Sequence, residues 1–124
     1  MINFFGTPDF INLQLNPLKT AIRIDRMIEN IDLKPEQVIK NFYKLCNISY
    51  KPKDLFNKNN LKKSLIELRS ENLLTTFLNL ENKILSIYSL SDKVFSFEKK
   101  KILTFKNKSH QVKIFKNYDH GFPL

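Results

Sequence analysis

Apolar residues recur at helical spacing over most of the chain and then, after Ser91-Asp92, regroup into short β-branched and aromatic runs. Residues 1–17 are apolar but aperiodic and are broken by Gly6, Pro8 and Pro17, which predicts an extended arm with a turn at Gly6-Thr7-Pro8-Asp9. Asn16 and Pro17 then supply a cap and a first helical residue that needs no amide donor. Leu18, Ala21, Ile22, Ile24, Ile28 and Ile31 follow at roughly helical spacing, so a first helix is expected to about Asn30. A second helix start is read at Asp32–Gln37, again with Pro in the first turn, and its stripe is Val38, Ile39, Phe42, Leu45 and Cys46. Residues 49–60 are rich in Lys and Asn and read as a loop. Asn60 then caps a third helical stretch, which either breaks near Ser70-Glu71-Asn72 or continues to Tyr88.

Beyond Asp92 the period shortens. Val94–Phe97, Ile102–Phe105 and Val112–Phe115 have strand composition, and the polar connectors Glu98–Lys101 and Lys106–His110 separate them. The expected fold class is therefore α+β: an N-terminal apolar arm, about three helices, then a C-terminal three-stranded antiparallel meander. The expected organisation is an arm over 1–17, a single α+β domain over 18–116 and an irregular tail over 117–124.

Composition narrows the functional classes. The chain has 124 residues, 42% hydrophobic, with 11 Phe and a formal net charge of +9. That is enough apolar side chain for one core. The single Cys46 forms no internal disulfide, which suits a reducing compartment. The residues Met1–Phe5 lack a basic start and a long apolar stretch, so a secretory signal is not expected, nor is a membrane-spanning helix. The expected location is intracellular, in a cytoplasm or an AT-rich organelle such as a mitochondrion.

Charge is the most informative remaining feature. With 18 Lys against 3 Arg, phosphate contact is favoured over base-edge readout. Lys51, Lys53, Lys58, Lys62 and Lys63 cluster in and after the central loop. Lys99, Lys100, Lys101, Lys106 and Lys108 cluster at the expected hairpin tip and the connector after it. These ten are the candidate RNA-binding residues, acting on the phosphate backbone. The bland alternative is a solvated face or a protected sheet edge.

Catalytic and metal motifs are sparse. His110 and His120 both fall in expected loops, and Cys46 lies on an apolar helix face. One Cys and two His match no usual zinc spacing, and two glycines allow neither a Walker loop nor a dinucleotide fingerprint. Phe4–Phe10 resembles the opening of methionyl-tRNA formyltransferases over seven residues, but the chain after it does not continue their strand–helix alternation, and no function is carried across.

The function expected from these features is a non-catalytic basic RNA-binding component of a ribonucleoprotein, such as a ribosomal protein or ribosome-bound factor, with no cofactor. Its partners would be rRNA-like phosphate backbone and neighbouring proteins docked on the 1–17 arm. The alternatives are an accessory protein–protein interaction subunit of an organellar respiratory complex or viral particle, and a small enzyme using His110, His120 or Cys46.

Overall fold

The computed structural model describes residues 1–50 and 56–120. Strand β1 (Ile2–Phe4) is followed by helices α1 (Pro17–Ile31), α2 (Pro35–Leu45), α3 (Lys58–Ser70) and α4 (Leu74–Leu78). Strand β2 (Ile84–Ser89), helix α5 (Lys99–Leu103) and strand β3 (His110–Phe115) complete the order.

Local chemistry starts the helices. The Asn16 side chain accepts the Lys19 amide at 3.0 Å and Pro17 occupies the first turn of α1. Pro35 does the same for α2, and Glu36 sits at the positive end of its dipole. For α3 the capping residue is Asn57, which accepts the Asn60 amide at 3.0 Å, so the helix starts earlier than Asn60 itself suggests. α1 packs on α2 and α3. Arg69 of α3 pairs with Asp25 at 3.0 Å, and Lys62 and Lys58 approach Asp32 at the C-terminal end of α1. The hydrogen bond from Lys62 lowers the Asp32 carboxyl below its ordinary pKa.

The sheet corrects the expected fold class. Its three strands run in the order β1-β2-β3 and are all parallel. Ile2 lies opposite Leu85, and Ile84 opposite His110. There is no C-terminal antiparallel meander among the described residues; the strands are spread along the chain, and five helices accompany them. Parallel neighbours need long crossovers: α1–α4 lie between β1 and β2, and α5 between β2 and β3.

Each misassigned segment has a physical reason. Ile84–Ser89 is a central strand with Ile84, Ser86 and Tyr88 buried on one face and Leu85 and Ile87 half-buried on the other. Ile84, Leu85, Ile87 and Tyr88 put apolar side chains on both faces of a short strand, a pattern that periodicity does not separate from a helix. Val94–Phe97 has strand composition but no strand ladder. The Asp92 carboxylate takes the Val94 and Phe95 amides, the Gln14 and Arg23 side chains take the Val94 carbonyl, and Leu15 takes the Ser96 carbonyl. Ile102 and Phe105, three residues apart, are both buried because α5 and the turn after it bring them to one side.

The core is aromatic. Tyr88, Phe95 and Phe97 meet with ring centroids 5.5–5.8 Å apart. Phe10, Leu13, Ile24, Cys46, Val94, Ile102 and Phe105 join them. Of the apolar residues in 1–17, Phe5, Phe10 and Leu13 are buried, whereas Ile2, Phe4 and Leu15 are exposed.

Candidate active site

The C-terminal ends of parallel strands are where open α/β sheets place ligands. Here all three ends bring a side chain to one place. After β2, the chain turns at Leu90 and Ser91 and presents Asp92, whose residue is 3% exposed. Its Oδ1 accepts the Val94 amide at 2.8 Å and the Phe95 amide at 3.0 Å. Its Oδ2 lies 2.8 Å from Nδ1 of His120, which follows β3. After β1 comes Phe5, held at φ 56 with its amide on the Ile87 carbonyl at 2.9 Å. Its ring covers the His120 imidazole at 5.8 Å.

The loop bearing His120 is fastened from two sides. The Tyr118 amide donates to Ser89 Oγ at 3.0 Å, and Ser91 Oγ donates to the Lys116 carbonyl. Asn47 Nδ2, from the left-handed residue just beyond α2, donates to Asp119 Oδ2 at 2.9 Å. The loop that carries the imidazole is thus held by bonds from a strand end, a turn and a helix end.

Against an ionised carboxylate, which only accepts, a neutral imidazole carries its hydrogen on Nδ1 and leaves Nε2 with a lone pair. Nε2 makes no hydrogen bond among the described residues, and the His120 side chain keeps 27% exposure. A buried acid orienting a histidine whose second nitrogen is free to take a proton is the general-base arrangement of nucleophilic catalysis.

Cys46 is not the nucleophile of this pair. It is buried in the core, and burial, assisted by the charge of Asp92, pushes its thiol up to about 11. His110 is buried at 2% exposure against Phe77, with a ring separation of 4.9 Å, and neither ring nitrogen has a partner among the described residues. Of the three residues weighed for a small enzyme, only His120 is in a position to do chemistry. Its partner Asp92 was missed from sequence. The available signal was an acid just beyond one buried strand and a histidine just beyond the next, which is invisible while Ile84–Ser89 is read as helix.

The candidate RNA-binding lysines do not form the site. Lys58 and Lys62 turn toward Asp32, and Lys63 is exposed on α3. Lys99 and Lys100 are exposed on α5, which replaces the expected hairpin tip, and Lys106 and Lys108 are exposed in the turn after it. Lys101 pairs with Glu98 at 3.4 Å and donates to the Asn12 carbonyl at 2.9 Å. Lys51 and Lys53 lie outside the described residues.

No family model and no curated protein matches the chain. Among solved structures, the chain is similar to the esterase EaEST from Exiguobacterium antarcticum, with a TM-score of 0.66 and 18% identity over 82% of this chain and 41% of the esterase's. The chain thus spans less than half the length of the structure it matches. The fold it shares is one found in an esterase. Together with the Asp92–His120 pair, this overturns the expectation of a non-catalytic RNA-binding ribosomal component, and with it the expectation that the protein is not an enzyme.

Proposed function

We propose that Asp92 and His120 are the acid–base pair of a hydrolase that cleaves carboxylic esters through a nucleophilic hydroxyl facing Nε2. The observation that carries the reading is the 2.8 Å contact between a buried, doubly hydrogen-bonded carboxylate and Nδ1. The order acid then histidine, each just past a parallel strand, is the order found in α/β-hydrolases, and the likeness to an esterase supports it.

In this mechanism Nε2 takes the hydroxyl proton as the nucleophile's oxygen bonds to the acyl carbon. The proton then passes to the departing alkoxide. Water then bonds to the acyl carbon and gives a proton to Nε2; the bond to the nucleophile's oxygen breaks, that oxygen takes the proton from Nε2, and the carboxylic acid is released. Asp92 stays ionised and stabilises the imidazolium formed at each step.

The test is hydrolysis of p-nitrophenyl acyl esters by the native protein. His120→Ala and Asp92→Asn are expected to lower kcat/KM by about 10²–10⁴-fold, mostly through kcat. His110→Phe, away from the pair, is expected to leave it unchanged. Hydrolysis insensitive to His120, or absent from the unaltered protein across acyl lengths, sinks the reading.

A further inference from the structure

Helices α1 and α2 and the 93–96 segment enclose an open groove of about 1260 Å³. Met27 of α1 and Val38, Phe42 and Leu45 of α2 give it an apolar floor, since all four are buried or half-buried. Its walls carry Lys19, Arg23, Arg26, Lys34, Lys44 and Lys93, and among the described residues no Asp or Glu lines it.

Among the described residues, Arg23 alone of these cations is tied to the protein. Its guanidinium donates to the Val94 carbonyl at 3.2 Å; burial lowers its pKa, with Asp92 opposing. The other five side chains make no ion pair or hydrogen bond among the described residues. Six like charges around one apolar trough repel one another and are relieved by an anion. An apolar floor under cationic walls suits an amphiphile, and several ammonium groups beside guanidinium suit a phosphate, which carries more charge than a carboxylate.

The groove adjoins the acid–base pair through a shared turn: Lys93 and Ser96 line it, and Ser96 Oγ donates to the Asp92 carbonyl at 3.1 Å. We propose that the groove binds a soluble acyl ester bearing a phosphate group, with the acyl chain on the floor and the phosphate among the cations. This deepens the esterase reading and rests on it.

The test is calorimetric titration of the full chain with decyl phosphate below its micellar concentration, with decanol and inorganic phosphate titrated in parallel. Decyl phosphate is expected to bind saturably, at least about tenfold more tightly than either alone. Arg26→Glu combined with Lys34→Glu, both at exposed positions, is expected to weaken binding about tenfold or more with an unchanged circular dichroism spectrum. The neutral pair Lys44→Gln with Lys93→Gln is expected to weaken it about threefold or more. Lys106→Glu with Lys108→Glu, which changes net charge equally but outside the groove, is expected to stay within about twofold. His120→Ala should bind decyl phosphate as the unaltered chain does, so binding is read separately from chemistry. Equal affinity for decanol, equal weakening by both charge reversals, or association only with phosphatidylglycerol vesicles overturns the groove proposal, even where hydrolysis depends on His120. Failure of the esterase reading shows in the hydrolysis assay instead.

Discussion

At the scale of single residues, burial decides what each polar group can do. Two backbone amides and His120 surround the oxygens of the buried Asp92, and the same bonds aim the imidazole. Cys46 and Tyr88 are the opposite case. Burial pushes the thiol from its ordinary value near 9.0 to about 11, and the Tyr88 phenol from 10.0 to about 12. Tyr88 donates to the Gly6 carbonyl at 2.9 Å, so it is satisfied only while protonated. Both folded pKa values lie above the unfolded ones. The stability they contribute is therefore complete below pH 9 and is lost as pH rises through about 11 and then about 12. Urea midpoints measured at pH 7, 9 and 10.5 should fall across the last step, and Cys46→Ala should remove part of that fall. His110 has no such compensation, since its buried nitrogens lack partners among the described residues. His110→Phe, packed against Phe77, is expected to raise stability by about 1 kcal/mol, read as a higher Tm.

At the scale of elements, the start of a helix is worth more than the ion pairs along it. Asn16 satisfies an amide of α1 that no other group reaches, so Asn16→Ala should cost about 1 kcal/mol in chemical denaturation. Arg69 and Asp25 are each more than a third exposed. Solvent screens their attraction, and Arg69→Ala should cost less than Asn16→Ala, about 0.2–1 kcal/mol. These caps and prolines are local, and they were legible: Asn16, Pro17 and Pro35 mark two helices from sequence alone. The segments that depend on distant partners were not. Val94–Phe97 contributes its aromatic rings to the core as expected of a hydrophobic run, but its amides and carbonyls are claimed by Asp92, Gln14, Leu15 and Arg23. Propensity describes the side chains of that run and says nothing of these claims.

At the scale of the whole molecule, the parallel sheet joins the two ends of the chain. β2 is central and hydrogen-bonded on both sides, whereas β1 and β3 are each paired within the sheet on one side among the described residues. Native-state hydrogen exchange should therefore be slowest at Ile84–Ser89 and faster at Ile2–Phe4 and His110–Phe115. Equal protection of all three strands would contradict this ranking. The same topology makes the site. Phe5, Asp92 and His120 are remote in sequence and meet only because three strands point the same way and end together.

What the sequence by itself determined is whatever depends on near neighbours and composition: the first two helices with their proline starts, an aromatic core, and a strongly cationic chain poor in arginine. Strand direction lay beyond it, because Ile84–Ser89 carries apolar residues on both faces and its period does not distinguish a buried strand from a helix. Tertiary structure alone decided that the sheet is parallel, that the Lys99–Lys101 run is helical, and that a carboxylate and an imidazole 28 residues apart become one hydrogen-bonded pair. The physical reason is common to all three. Each rests on hydrogen bonds between segments distant in sequence, and residue spacing along the chain carries no record of which strand end lies beside which.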